Sequence, residues 1–416
     1  MLEKLELEID SLGAGGDGVA KSEDKSYYVP FTLPGEKIVA ETTDNRRKPN
    51  HLNLLEVKQE SEDRVTPFCK NFGECGGCAV QHLEISKYKA WKSSILTNAL
   101  KQQQIDVDLR PLKMVEHKAR RRISISYENY KGNIEFGFYR KHSKRIIDIE
   151  NCPLLTDKLN KLLPALKELL IEITEPRQSG HFLVTDTDLG IDLTFCPRRK
   201  VPLEPLNAAF IKFAEQNDIA RITRAGKELI IERHKPQIKF GSEYVEFPAG
   251  AFLQPSKSGE ELLLDESIDF IKKHADRTKK IADLCCGLGT FSIPLTGLGH
   301  VTAIDVFGPS VSALKKTSHK GLEVIEQNLF TAPLIAKELE GFDVVVMDPP
   351  RCGAIEQVTE LSKSTVKTII YVSCDPGTFA RDAKILLDGG YMLKEATPVD
   401  QFPYTDHLEV VGCFSR

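Results

Sequence analysis

The sequence predicts an α/β protein: a doubly wound parallel sheet in the C-terminal part, preceded by a small β-barrel and a mostly antiparallel, β-rich middle segment. Three observations carry this. Beyond about residue 247, apolar strand-like runs alternate with helical patterns, as in strand–helix–strand units whose helices return the chain to a parallel neighbour. Before about residue 60, short runs of alternating hydrophobicity are separated by glycine-rich turns, as in small antiparallel barrels. Between these, strand-like runs succeed one another with few helical patterns. At 416 residues the chain is too long for one ordinary domain. The expected division is 1–60, 61–246 and 247–416.

In the first segment the runs are Glu3 to Ile9, Ser26 to Pro30, Lys37 to Glu41 and Leu52 to Val57. Gly13-Ala-Gly-Gly-Asp-Gly18 and Leu33-Pro-Gly-Glu36 part them. This size and spacing fit a barrel of the oligonucleotide-binding type.

Next come Cys69-x5-Cys75-x2-Cys78, with glycines between the last two. The chain has ten cysteines, with no signal-peptide pattern and no long apolar run, so a cytoplasmic location without a membrane partner is expected. Structural disulfides are rare there, and clustered cysteines suggest metal ligation or catalysis. Three thiolates need a fourth, and Cys152 in Glu150-Asn-Cys-Pro153 is the candidate. A zinc site of four cysteines and a cubane iron–sulfur cluster both remain open. A zinc knuckle usually pairs two Cys-x-x-Cys units, and the three-plus-one pattern with proline after the distant cysteine leans toward the cluster.

Glu84 to Gln104 reads as a charged helix carrying the single tryptophan, Trp91. The net charge of −4 gives no overall attraction to nucleic acid, yet Arg110 to Arg145 holds 11 Lys/Arg against 3 Asp/Glu. Tyr127, Tyr130, Phe136, Phe138 and Tyr139 are interleaved with those charges. Basic residues pair with phosphates and aromatic rings stack on unpaired bases, so an RNA-facing surface is expected here. Leu159 to Ile173 is an amphipathic helix, and strand-rich runs follow at His181 to Phe195 and Ile219 to Glu232.

Past Phe247-Pro-Ala-Gly-Ala-Phe-Leu-Gln-Pro255, Glu260 to His274 is helical and Lys280 to Leu284 is a strand. Cys285-Cys-Gly287-Leu-Gly289-Thr-Phe291 forms a glycine turn. Strands then end at Val306, Asn328 and Met347, and Asp348-Pro-Pro-Arg351 follows the last. Thr368 to Ser373 is a buried strand running into Cys374, and Asp375-Pro376 reads as the N-cap and first residue of a helix. Cys374 therefore stands at a strand mouth and a helix N-terminus, where a thiolate, the nucleophilic form, is favoured. Leu408 to Phe414 is expected to close the sheet, with one antiparallel strand at its edge.

The glycine turn admits a dinucleotide or an adenosyl cofactor. Gly287-Leu-Gly289 lacks the third glycine of the dinucleotide fingerprint, and no pyrophosphate cradle is evident. Asp305 stands where an acid would hold ribose hydroxyls, Asn328 where an adenine edge would lie, and Asp348-Pro-Pro at the next strand end. Four polar residues at four successive strand ends point to S-adenosylmethionine.

With these motifs in view the chain resembles the RNA uridine-C5 methyltransferases, in the branch that carries an iron–sulfur cluster. The resemblance rests on Asp348-Pro-Pro-Arg-Cys-Gly353, Ser373-Cys-Asp-Pro376 and Phe402-Pro-Tyr-Thr-Asp-His-Leu-Glu409. It implies a Rossmann-like methyltransferase domain, a TRAM-like N-terminal barrel and a four-iron (4Fe-4S) cluster on Cys69, Cys75, Cys78 and Cys152. Gln254, Cys285, Thr290, Asp305, Asn328 and Asp348 would line the adenosylmethionine site. Cys374 would be the nucleophile and Glu409 the base, with Arg351 and Asp375 as candidates to hold the pyrimidine edge. Several positions depart from the commoner family residue: Pro255-Ser256 after Gln254, Cys285 for an aromatic, Thr290 for Asn, Asp305 for Glu and Tyr404 for His. They bear most on the contacts at 285 and 290.

The partner implied is RNA, ribosomal first and transfer RNA second, with a monomer as the default state. Rival readings are weaker. A radical methylthiotransferase needs Cys-x-x-x-Cys-x-x-Cys, which the cysteine spacing fails. A cytosine-C5 enzyme shares the thiolate logic but not these motifs. A binding or folding factor without activity has no need for nucleophile, base and cofactor motifs together.

Overall fold

The computed structural model describes residues 3–22, 25–43, 47–141 and 143–416. Residues 3–59 form two three-stranded antiparallel sheets, Lys4–Glu8, Lys37–Thr42 and Leu52–Gln59 in one, and Ser11–Leu12, Gly18–Ser22 and Lys25–Val29 in the other. Ile9, Ala20, Val29, Ile38, Ala40 and Leu52 meet in a shared small core. The expected runs are found, and strands Ser11–Leu12 and Gly18–Ser22 are additional. They are short and half polar, which leaves little period to read.

The middle segment is a seven-stranded sheet from Arg122–Tyr130 to Glu228–Glu232, antiparallel except where Gly190–Pro197 runs parallel to Ile219–Arg224. Helices Asp157–Ile173 and Asn207–Gln216 cover one face. This corrects part of the expected RNA surface. Tyr127 and Phe136 point into that core at 1% and 0% exposure, whereas Tyr130 and Tyr139 face solvent. Residues of opposite parity on paired strands belong to opposite faces. Some of the basic charge is internal as well: Arg121 is buried, donating to Glu260 at 2.7 Å and to the Gln254 carbonyl at 3.1 Å.

The C-terminal part holds an eight-stranded sheet. Its order is Leu322–Glu326, His300–Asp305, Lys280–Leu284, Val344–Met347, Thr368–Ser373, Glu409–Ser415, Met392–Asp400 and Lys113–Met114. The first five run parallel. Glu409–Ser415 is antiparallel to both of its neighbours, so the antiparallel strand lies inside the sheet rather than at its edge. The edge is instead Lys113–Met114, contributed by the middle segment.

Both sheet faces are covered. Along Thr368–Ser373, Ile369 and Tyr371 pack toward helices Ile85–Gln102, Ile355–Lys363 and Pro376–Asp388, while Ile370 and Val372 pack toward helix Lys257–His274. That two-sided burial is why parallel strands read as unbroken apolar runs. Helix Ile85–Gln102, read as merely charged, buries Tyr88, Lys92, Leu96 and Leu100. Among the described residues no helix is long and apolar enough to cross a membrane.

Candidate active site and cysteine cavity

From strand Lys280–Leu284 the chain steps outward twice to one side, then crosses to Val344–Met347 on the other. The crevice at the carboxyl ends of these two strands is the switch point where open α/β sheets bind ligands. Cys285 and Asp348 follow those two strands directly, and Cys374 follows the next strand over.

The turn at residues 285–289 is tightly made. Gly287 and Gly289 have φ of +56° and +92°, and Cys285 takes +62° despite its side chain. A methyl group on Gly289 would strike Leu314, whereas one on Gly287 would meet nothing within 4 Å, leaving the backbone open to close approach. Asp305 braces the turn: Gly287 N–H donates to Oδ2 at 2.9 Å and Phe307 N–H to Oδ1 at 2.7 Å. Asp283, inside the first strand, accepts from the Ser292 hydroxyl and is pushed up to about 7 by complete burial. Sequence reading passed over it, although an acid within an apolar strand was the available signal. Thr290 is half-buried directly after the turn. Asn328 stands two residues past its strand, its Oδ1 accepting from Phe330 N–H at 3.0 Å.

Across the crevice Asp348 is half-buried and held well above the carboxylate range, by desolvation and then by the charge of Glu409. Gln254 donates to its Oδ2 at 3.0 Å. Glu409, the first residue of the internal antiparallel strand, is 2% exposed. Burial raises it to about 7 against the opposing pull of a hydrogen bond from Gln401 and the cations Arg351 and Lys92.

Cys374 is half-buried beside the helix N-terminus, and Asp375 Oδ1 caps that helix by accepting from Thr378 N–H at 2.9 Å. The expected lowering of the thiol is not found. Burial, Glu409 and Asp348 push Cys374 up to about 12, and Arg351 opposes them. Burial first, and then two carboxyls, outweigh one helix end, whose charge is only about half a unit.

Cys69, Cys75, Cys78 and Cys152 line a second feature, a cavity of about 750 Å³ between the N-terminal sheets and the middle segment. Burial comes first in raising Cys75 and Cys152, and it carries Cys78 to about 12. Each of these three is also raised by the charges of its fellow thiols. Gly77 N–H donates to Cys75 Sγ at 3.4 Å. Among the described residues no group of three or more His, Cys, Asp or Glu forms a site for a single ion.

This sheet order, with a glycine turn facing an acidic strand end, defines an adenosylmethionine-dependent methyltransferase fold. Residues 335–415 match the family described as tRNA (Uracil-5-)-methyltransferase. An uncharacterized RNA methyltransferase of Caulobacter vibrioides is 36% identical over 99% of this chain and 100% of its own. The 23S rRNA (uracil(1939)-C(5))-methyltransferase RlmD of Shewanella woodyi is 30% identical over 99% and 96%. The crystal structure of Pyrococcus abyssi tRNA (uracil-54, C5)-methyltransferase with S-adenosyl-L-homocysteine superposes with a TM-score of 0.73, covering 99% of this chain and all of that one at 22% identity. The chain belongs to the RNA uracil-C5 methyltransferase family.

Proposed function

We propose that this protein methylates carbon 5 of a uridine in RNA, in ribosomal RNA first, using S-adenosylmethionine. The observation that carries the reading is the convergence of Cys374, Glu409 and Asp348 at neighbouring strand ends of the switch-point crevice.

Carbon 5 of uracil is a poor nucleophile. A Cys374 thiolate adding to carbon 6 turns the ring into an enolate with electron density on carbon 5, dividing one hard step into easier ones. Bound S-adenosylmethionine supplies an electrophilic methyl group and a positive sulfonium. Carbon 5 then takes the methyl group, Glu409 removes the carbon-5 proton, and Cys374 leaves as the double bond re-forms. Arg351, whose guanidinium lowers both Cys374 and Glu409, stabilises the anionic states on this path. Gln254 and Asp348 would face the cofactor, with Cys285, Thr290, Asp305 and Asn328 along the turn side. The target base must leave its stack to reach this pocket.

The cysteine cavity is read as the seat of a four-iron cluster. Four thiols around one cavity, with a backbone N–H directed at sulfur, match the donor set of a cluster. A cluster would order the loop that carries three of its ligands. Iron and acid-labile sulfide in anaerobically purified protein, lost together in Cys78→Ser, are expected; zinc instead would sink this assignment. The N-terminal sheets fit a TRAM-like RNA-contacting role.

The activity is tested by nucleoside mass spectrometry. RNA from a strain lacking the gene is incubated with protein and S-adenosylmethionine, then digested as separate ribosomal and transfer fractions. New 5-methyluridine in the ribosomal fraction is expected. New 5-methylcytidine, or no new nucleoside, would overturn the reading.

A further inference from the structure

Glu409 is tied to the cofactor side of the crevice by a residue outside the motifs that identify the family. Gln401 follows strand Met392–Asp400 and is 4% exposed. Its amide nitrogen donates to Glu409 Oε1 at 2.8 Å and to Gln254 Oε1 at 2.9 Å. Gln254 in turn donates to Asp348 Oδ2 at 3.0 Å. The bridge has one polarity. Where a carboxyl is ionised it only accepts, and the amide nitrogens face the two carboxyls as that state requires. Its packing is equally fixed, since a methyl group on Gly259 would lie 2.6 Å from Gln401 Cβ and 2.7 Å from its Oε1.

We propose that Gln401 is a positioning residue, one amide that fixes the Glu409 carboxylate and, through Gln254, Asp348 in a single bridge. The inference rests on the reading of Glu409 as base. A donor to the charged form favours that form. Gln401 therefore pulls Glu409 toward its ionised form, against the burial that favours the protonated one. The other groups acting there are Asp348 and Cys374, each raised by Glu409, and the cations Arg351 and Lys92. Glu409 Oε2 is buried without a partner among the described residues, which leaves it as the oxygen open to a proton from substrate.

Gln401→Leu tests this in the full chain. With uridine RNA, turnover at pH 7 should fall by up to roughly 100-fold, the acid limb of kcat should move to higher pH, and a covalent protein–RNA complex should accumulate. With RNA carrying 5-fluorouridine, which has no carbon-5 proton to lose, the complex should form at the wild-type rate. Unchanged turnover, or slowed turnover with an unmoved acid limb, overturns the proposal. Full turnover in Glu409→Gln would instead remove the base assignment and leave the bridge without a task. Should Gln401→Leu form no complex with the fluorinated RNA, Gln401→Met keeps the length without the donors and takes the same readouts. Failure of both to fold would assign Gln401 to packing and overturn the proposal.

Discussion

Cys374 carries the tension of the site in one atom. Its proposed chemistry needs a thiolate, yet burial and two carboxyls hold the thiol up at about 12. The positive sulfonium of S-adenosylmethionine, bound on the side proposed for Asp348, would act in the direction that relieves this. Cys374→Ala should lose turnover by several orders of magnitude and form no covalent complex with 5-fluorouridine RNA, read by denaturing gel. Glu409→Gln should keep addition and methylation but stall release, so that complex builds up on ordinary uridine RNA. The pH profile follows from the proposed base. Glu409 sits at about 7, and its proton-accepting form grows above that value, so kcat should rise through pH 7 and fall off on the acid side. A pH-independent kcat from 6 to 8, an interval of roughly one unit either side of that value, would remove Glu409 from the rate-limiting step. The strand, the cysteine and the Asp375 cap were readable from an apolar run broken by Asp-Pro. The thiol's elevation was not, because it depends first on burial in the folded crevice and then on carboxyls that arrive from other strand ends.

The stretch from Asp400 to Glu409 works as one element. Asp400 is buried, paired with Lys92 at 3.1 Å and accepting from Tyr88 OH at 2.5 Å. Lys92 also donates to the His407 carbonyl. Tyr404 takes φ of +65°, a left-handed conformation rare for a bulky residue, and the neighbours hold it there. Ala79 and Val80 N–H donate to its carbonyl at 2.7 and 3.2 Å, and its own N–H donates to Tyr88 OH at 2.7 Å. The cysteine loop and helix Ile85–Gln102 thus grip the loop that leads into Glu409. Lys92→Met should strand the Asp400 charge and cost about 3–5 kcal/mol, measured by urea unfolding. A loss below about 1 kcal/mol would mean that Asp400 takes up a proton instead. None of this was legible in the sequence. A lysine in a charged helix reads as solvated, and its partner lies some three hundred positions away.

At the scale of the molecule the three expected segments do not keep separate cores. Helix Ile85–Gln102 and strand Lys113–Met114 complete the C-terminal sheet, while Arg121 fastens the middle sheet to the loop carrying Gln254. Local periodicity revealed the alternating strands and helices, since each is written in a dozen adjacent residues. It could not reveal sheet order, because placing Glu409–Ser415 between two earlier strands is decided by long-range packing. A fragment of residues 247–416 should therefore aggregate or bind hydrophobic dyes, its sheet face being bare where Leu96 and Leu100 belong. A monomeric, well-dispersed NMR spectrum from that fragment would contradict this.

The interior place of Glu409–Ser415 also bears on how the molecule is made. On the ribosome this strand emerges after both of its sheet neighbours, Thr368–Ser373 and Met392–Asp400. Until it inserts, the sheet stays split, Lys113–Met114 has no completed sheet to edge, and Glu409 is missing from the crevice. Closing the sheet and bringing the proposed base into the crevice are one event, so a nascent chain lacks Glu409 there while the core under that sheet is still open.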